Sequence, residues 1–206
     1  MTVPATTTRL AMTSELDQVT ALCVAAFADE AVITWVLPDP ATRRASMRSM
    51  FDTSLAAAIE AEALVLAVSG ADEPIGASIW IPRTSRSEAA APQPGDDPVA
   101  RRLAAAHDAT EARRPSTAHL SLSSMAVLPE HRGQGAGGAM IASGTARAGE
   151  LGLPVHLEAS TPQNRSLYAR HGFRDHGEPI RLPEQGPALQ PMWLDRDRSA
   201  TVPPTV

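Results

Sequence analysis

Apolar positions in the first half of the chain follow two rhythms, one helical and one alternating. Residues 16–27 carry apolar side chains at helical spacing behind Ser14, a good helix N-cap, and residues 42–61 repeat the pattern. Two short apolar runs, residues 63–68 and 75–81, flank a Ser-Gly-Ala-Asp turn. The pattern therefore predicts two amphipathic helices followed by a β-hairpin.

Three further segments complete the first half. Residues 7–12 favour a first strand, and residues 27–40 end in Pro-Asp-Pro, which should stop any helix. Residues 82–97 are rich in Pro, Ser and Arg and predict a flexible loop, which is either a plain insert or a lid over a binding site. A helix is predicted over residues 98–114.

The second half begins with a predicted strand over residues 120–127 and a glycine-rich turn. A helix over residues 139–150 ends at Gly152 and Pro154, and a strand over residues 155–159 follows. Residues 173–180 and 189–194 favour two last strands. A strand, a glycine-rich turn and a helix form a phosphate cradle, because N–H groups at a helix start are unpaired and carry the positive end of the helix dipole.

The turn admits more than one phosphate ligand. Arg132 adds a positive charge at its mouth, and the absence of any lysine excludes a P-loop. Gly133, Gly135 and Gly138 match the G-x-G-x-x-G pattern of dinucleotide-binding folds. Glu158 lies where the ribose-binding acid of such a fold would lie, so this alternative stays open.

Composition narrows the class of protein. The 206 residues suit one domain over residues 1–206, with loose tails at residues 1–6 and 199–206, and 43% hydrophobic content suffices for a core. The net charge of −5 argues against nucleic acid or an anionic membrane as partner. Cys23 is the only cysteine, and neither a signal segment nor a metal-ligand spacing is present. These features predict a cytoplasmic protein without a metal, either monomer or homodimer.

Two motifs resemble one family. Residues 132–137 read Arg-Gly-Gln-Gly-Ala-Gly, which is similar to the Q/R-x-x-G-x-G/A signature of the GCN5-related N-acetyltransferase (GNAT) superfamily. Residues 164–173 resemble its second landmark, N-x-x-x-L-Y-x-x-x-G-F. Within the family, residues 157–173 look most like the small-molecule enzymes of the puromycin N-acetyltransferase type.

The resemblance implies a fold and a co-substrate. The fold is a three-layer α+β (GNAT-like) domain with a mixed, mostly antiparallel sheet of about six or seven strands, helices on both faces and a splay between two parallel strands. The co-substrate is acetyl-CoA or another acyl-CoA. The residues implied to bind it are the backbone of Met125, Ala126 and Val127, the turn residues Arg132, Gly133, Gln134, Gly135, Ala136, Gly137 and Gly138, and the side chain of Asn164.

Acyl transfer to an amine needs proton transfer at both ends. The family assigns the role of general acid to the tyrosine that matches Tyr168, which lies four residues after Asn164 on the same helix face. Glu158 is a candidate base or anchor for the amine. Ser123, Ser124, His119 and a water relay are alternatives to Glu158. Trp35 and Trp80 are candidate walls of the acceptor site, although a core position explains either residue as well.

The resemblance thus predicts an enzyme that transfers acetyl from acetyl-CoA to the amine of a small molecule by direct attack in a ternary complex. It suggests a role in antibiotic resistance or natural-product tailoring. Two alternatives remain: an enzyme that uses another acyl-CoA or an acyl-tRNA, and a sensor that binds an acyl-CoA without turnover.

Overall fold

The computed structural model describes residues 6–83 and 97–195. Nearly all of the predicted tails and most of the predicted loop at residues 82–97 lie outside these ranges. Among the described residues, no helix is long and apolar enough to cross a membrane.

Six helices and eight strands alternate along the described chain. The helices are α1 (Leu16–Phe27), α2 (Ala31–Val36), α3 (Pro40–Glu60), α4 (Pro98–Glu111), α5 (Ala136–Glu150) and α6 (Pro162–Arg170). The strands are β1 (Thr7–Leu10), β2 (Leu64–Val68), β3 (Pro74–Arg83), β4 (His119–Val127), β5 (Val155–Ala159), β6 (Arg174–Asp175), β7 (Ile180–Arg181) and β8 (Ala188–Leu194).

One mixed sheet runs through the molecule in the strand order β1-β2-β3-β4-β5-β8-β6, and β7 pairs with β8 outside this path. Every pairing is antiparallel except that of β4 with β5, which are joined through α5. The predicted mixed and mostly antiparallel sheet is therefore confirmed, with eight strands where about six or seven were expected.

The sheet lies between two layers of helices, and the side chains of β2 divide between them. Leu64, Leu66 and Val68 pack with α1 and α3, whereas Val65 belongs to the core beneath α5. Trp80 is fully buried below α5, where a Cβ built on Gly144 would lie 2.1 Å from its ring. The glycine is what allows the helix to approach the indole so closely. The three predicted layers are confirmed.

The Pro-Asp-Pro segment stops a helix as predicted, because α2 ends at Val36. It also begins the next helix: Asp39 accepts a hydrogen bond from the N–H of Ala41, and Pro40 is the first residue of α3, two residues before the predicted start. This is the ordinary preference for Asp at the N-cap and Pro at the first helical position. The predicted strand at residues 173–180 is two separate strands, β6 and β7, with Gly177 at φ 82° between them.

Candidate active site

The parallel strands β4 and β5 separate in the middle of the sheet. Their pairing runs from Leu120 opposite Val155 to Leu122 opposite Leu157 and then stops, although both strands continue. A bulge at Ser123 marks the point of separation, because Ile79 and Trp80 of β3 face Ser124 and Leu122 of β4. The splay that the family resemblance implied is therefore present in the fold.

The bulge determines which backbone groups of β4 face the gap. Beyond it, the N–H of Leu128 donates to the carbonyl of Ile75 on β3 (3.0 Å). Because backbone groups along a strand point alternately to the two sides, those of Met125 and Val127 face away from β3, into the gap. Arg132 Nε already donates to the carbonyl of Val127 (3.2 Å). The gap thus offers main-chain donors and acceptors to an extended amide-containing chain.

The glycine-rich turn leads from β4 into α5. Gly133 and Gly135 have φ values of 74° and 94°, in the region that favours glycine, and Gly135 precedes the first residue of α5. The helix begins at Ala136, three residues before the predicted start. No side chain caps this end, so the N–H groups of residues 136–138 lack a partner within the helix. A Cβ built on Gly135 would contact nothing within 4 Å, so space remains above the turn.

A groove of about 1890 Å³ runs from this turn along β4 to α6, and we call it the glycine groove. All of the residues implied to hold an acyl-CoA line it: Met125, Ala126, Val127, Arg132 to Gly138, and Asn164. Its shape and its unpaired backbone donors fit a pyrophosphate joined to an amide-containing arm.

Arg132 has a structural contact as well as a place in the groove. Its Nη2 donates to the carbonyl of Ala26 near the end of α1 (2.8 Å), and its Nε holds Val127. The side chain therefore ties α1 to the end of β4 while its positive charge remains at the groove.

A second cavity of about 580 Å³ lies on the face of the sheet that carries α1, α3 and α4, and we call it the inner cavity. It shares four lining residues with the glycine groove: Phe27, Glu30, Met125 and Asn164. The two spaces therefore meet where β4 and β5 separate. A molecule extended along the groove and another in the cavity would come together at this junction.

Tyr168 lies beside the junction and lines the inner cavity. The side chain is only 5% exposed and packs against Phe173, with ring centroids 5.9 Å apart. Burial raises the pKa of the phenol to about 12, so it is protonated at neutral pH. Its hydroxyl makes no hydrogen bond to another described residue. It is therefore available as a proton donor.

Glu158 projects into the inner cavity from β5. Val155, Leu157 and Ala159 face the core beneath α5, and His156 and Glu158 take the opposite face. Burial, followed by repulsion from Glu111, raises the pKa of the Glu158 carboxyl to about 7, and Arg83 opposes this shift. A carboxyl that titrates near neutrality can accept a proton and release it again.

The nearest basic group to Glu158 is His156, with Nδ1 3.6 Å from Glu158 Oε1. This contact is not an ion pair at neutral pH. Burial, reinforced by His119, His176 and Arg114, lowers the pKa of His156 to about 3, which keeps the imidazole neutral.

Glu30, at the start of α2, is a candidate that the sequence pattern did not single out. Its Oε2 accepts hydrogen bonds from the N–H groups of Val32 (2.8 Å) and Ile33 (3.1 Å). Its Oε1 is buried and has no partner among the described residues, although the side chain lines both spaces at their junction. The available signal was an acid three residues after Phe27, directly before an apolar run, which is an N-cap pattern.

The two candidate tryptophans do not line the inner cavity. Trp80 is fully buried and donates from Nε1 to Ser78 Oγ (2.9 Å). Trp35 packs with Ile180, Leu182 and Leu189, and the guanidinium of Arg102 lies 5.8 Å from its ring centroid. Trp80 therefore fits the core alternative, and Trp35 is partly buried beside the core. Their role toward an acceptor stays a prediction.

Comparisons with known proteins agree with this architecture. Residues 99–175 match the family model described as an acetyltransferase (GNAT) domain. A Corynebacterium glutamicum protein described as histone acetyltransferase HPA2 and related acetyltransferase has a TM-score of 0.69 at 22% identity, covering 98% of this chain and 99% of its own.

Two insect enzymes are similar in fold at lower identity. Drosophila melanogaster polyamine N-acetyltransferase has a TM-score of 0.70 at 17% identity, covering 93% of this chain and 100% of its own. Arylalkylamine N-acetyltransferase 2 from Aedes aegypti has a TM-score of 0.70 at 12% identity, covering 93% and 99%. The chain has the GNAT fold, and residues 99–175 match the model of the GNAT acetyltransferase domain.

The dinucleotide alternative is excluded by the same fold. A dinucleotide-binding half needs successive parallel strands, whereas only β4 and β5 are parallel here. Glu158 also lines the inner cavity and is not among the residues of the glycine groove. The acid that a ribose would need is therefore on the wrong side of the sheet.

Proposed function

We propose that this protein transfers an acetyl group from acetyl-CoA to the amine of a small molecule, by direct attack within a ternary complex. The observation that carries the proposal is the junction, where the glycine groove meets the inner cavity beside Tyr168. Proteins of similar fold are described as acetyltransferases that act on polyamines and arylalkylamines, which supports an amine acceptor.

The groove side binds and orients the donor. The N–H groups of residues 136–138 hold the pyrophosphate, and the backbone of Met125 and Val127 contacts the amides of the arm. GNAT enzymes use acetyl-CoA as co-substrate, and the thioester supplies the acetyl group that the acceptor attacks. Asn164, at the junction, guides the arm toward Tyr168.

The cavity side prepares the amine. An alkylamine resembles lysine, with a pKa of about 10.4, so it arrives as an ammonium ion and must lose a proton before it attacks. The orphaned Oε1 of Glu30 receives the ammonium at the junction, and Glu158 is the proposed base. Tyr168 donates to the leaving sulfur, whose thiol has a pKa of about 8.5 by analogy with cysteine.

The narrower proposals concern the biological role of the protein and its location in the cell. A role in antibiotic resistance or natural-product tailoring, in the cytoplasm, rests on the motif likeness over residues 157–173, which build the groove side and not the acceptor wall. The sensor alternative is disfavoured because Tyr168 keeps a free hydroxyl at the junction.

Acetyl-CoA and a panel of primary amines, with free thiol followed by a colorimetric reagent, test the proposal. We expect thiol release that requires both substrates, together with mass-spectrometric detection of the acetylated amine. Longer acyl-CoAs in the same assay measure the preference for acetyl. Thermal stabilisation by coenzyme A without turnover on any amine would favour the sensor and overturn the proposal.

A further inference from the structure

Three residues that line the inner cavity have a buried polar atom without a partner among the described residues, namely Glu30, Arg114 and His156, and two of these side chains carry opposite charges. Glu30 Oε1 can only accept a hydrogen bond while ionised, and Arg114 Nη2 can only donate one. Neither atom has a partner among the described residues, and both residues line the cavity. Leaving such groups buried and unpaired is costly, so each position calls for a complementary group from a ligand.

Arg114 is held firmly in this position. Its side chain is 8% exposed, and its Nη1 bonds to Glu111 at 2.8 Å. The guanidinium therefore has one nitrogen fixed by a carboxylate and one buried nitrogen without a partner among the described residues. A ligand carboxylate is the group that matches a guanidinium edge best in geometry and charge.

A second cation lies on the same wall. Arg83, the last residue of β3, lines the cavity and makes no hydrogen bond or ion pair with the other described residues. It lies close enough to Glu158 to lower the pKa of that carboxyl, against the larger effects of burial and Glu111. The acids facing Arg83 and Arg114 are therefore Glu111, which Arg114 already holds, and Glu158, whose burial favours the neutral form.

The imidazoles near this wall do not change its balance of positive and negative charge. His156 and His119 are buried, and burial lowers the pKa of both, so they are neutral near pH 7. His107 lines the cavity from α4. With Glu158 about half ionised near pH 7, the wall carries two guanidinium groups against the ionised carboxylate of Glu111 and the partial charge of Glu158. The negative charge of Glu30 lies apart from these two arginines, at the junction.

We propose that the acceptor carries a carboxylate as well as its amine, so that the ammonium binds at Glu30 and the carboxylate at Arg114 and Arg83. The proposal rests on the acetyl transfer proposed above and specifies its substrate class as amino acids. In the reaction, the amine nitrogen forms a bond to the acetyl carbon, the carbon–sulfur bond breaks, the sulfur takes a proton from Tyr168, and the amine proton passes to the base.

A second ammonium group on the acceptor fits the cavity less well. It would need an ionised carboxylate with free oxygens near Arg114, but Glu111 is already paired there and burial opposes the ionisation of Glu158. It would also leave Arg114 Nη2 without an acceptor. The polyamine alternative is therefore an outcome of the test and not the proposal.

Pairs of acceptors that differ only in the carboxylate provide the test: tyrosine and tyramine, tryptophan and tryptamine, arginine and agmatine, and 5-aminopentanoate and butylamine. We expect kcat/KM for at least one acid to exceed that of its decarboxylated partner by about tenfold or more, or about 1.4 kcal/mol, since the partner lacks the hydrogen bonds between charged groups. Equal or better turnover of the decarboxylated partner in every pair would overturn the inference.

Three variants sharpen the result. Arg83→Gln and Arg114→Lys, which keeps a charge beside Glu111, should lower kcat/KM for the acid at least about tenfold more than for its partner. Arg113→Gln removes a neighbouring exposed arginine that does not line the cavity and should change neither value. Equal losses on both substrates for the two cavity variants would contradict the carboxylate contact.

Calorimetry with coenzyme A present separates the two proposals. It compares binding of each acid and its partner without turnover. If no amine is acetylated, the proposed function fails, while tighter binding of an acid that is lost in Arg83→Gln still supports the carboxylate site. If amines are acetylated and acids are neither preferred nor bound more tightly, only the present inference fails.

Discussion

The two spaces that meet at the junction are built in different ways. The glycine groove is built mostly from the stretch β4 to α6, is also lined by β1 and by the segment between α1 and α2, and offers mainly backbone groups and glycines in the left-handed region. The inner cavity is assembled from α1, α2, α3, β3, α4, β4, β5, α6 and β8, and its chemistry lies in side chains such as Glu30, Arg114 and Glu158. A site made of backbone groups keeps its geometry when the surrounding side chains are substituted. A site made of side chains can change its specificity through a single substitution.

The largest expected effect is on the backbone site. Gly135→Leu forces a side chain into the left-handed region, at about 1–2 kcal/mol, and fills the open space above the turn. We expect coenzyme A affinity to fall by at least about 100-fold, or about 2.8 kcal/mol, in calorimetry.

Gly152→Leu is the matched control for this substitution. Gly152 lies just beyond the other end of α5, with φ 65° and no atom within 4 Å of an added Cβ. It should carry a similar loss of stability and keep wild-type affinity for coenzyme A. Equal losses of affinity in the two variants would show that backbone strain, and not the cradle, explains the result.

The difference in construction explains what the sequence could predict. The part of the groove between β4 and α6 lies within one stretch of chain, so the spacing of Arg132, Gly135, Asn164 and Tyr168 carries its geometry, and the mixed sheet with its splay followed from the same motifs. The inner cavity depends on long-range packing. Nothing in the local pattern around Arg114 or Glu30 indicates that both side chains reach one space.

The placement of the tryptophans shows the same limit. Trp35 and Trp80 are candidates for the acceptor wall by position in the chain, and their packing against Gly186 and Gly144, which leaves both outside the lining of the inner cavity, has no local signal. Glu158 faces away from Val155, Leu157 and Ala159, as alternation along a strand requires. Its alternation along β5 is a local property, but its burial beside Glu111 is not, so the pKa shift had no sequence signal.

The second-largest expected effect is on the turnover rate, through the proposed general acid Tyr168. Tyr168→Phe should lower kcat by about 100-fold, in the lower part of the range for general acid catalysis, and should leave coenzyme A affinity unchanged. The hydroxyl makes no hydrogen bond within the described protein, so the phenylalanine keeps the packing against Phe173. Stopped-flow detection of free thiol measures the rate. An unchanged kcat would exclude Tyr168 as the proton donor.

A smaller effect distinguishes the two carboxylates of the inner cavity. If Glu158 is the base, kcat/KM should rise about tenfold per pH unit below the Glu158 pKa of about 7 and then bend. In Glu158→Gln that bend should disappear. In Glu30→Gln the bend should remain while KM for the amine rises. A bend near pH 7 that survives in Glu158→Gln would assign the base to another group or to a water relay.

The smallest expected effect is on stability. The pKa of Glu158 is raised on folding from 4.5 to about 7, so its contribution to stability is fully present below pH 4.5 and is lost as pH rises through 7. Between pH 5 and 8, wild type should therefore lose thermal stability relative to Glu158→Gln, by about 2–4 °C for each kcal/mol. Calorimetric melting at both pH values measures it. Parallel behaviour of the two proteins would contradict the raised pKa.

The central claim is that donor and acceptor meet between β4 and β5, and a crystal structure with coenzyme A and a bound amino acid tests it most directly. We predict the pyrophosphate at the N–H groups of residues 136–138, the sulfur within hydrogen-bond reach of the Tyr168 hydroxyl, and the amine beside Glu30. The claim would be contradicted if coenzyme A bound outside the glycine groove. It would also be contradicted if the sulfur lay on the side of α6 that is opposite to the Tyr168 hydroxyl.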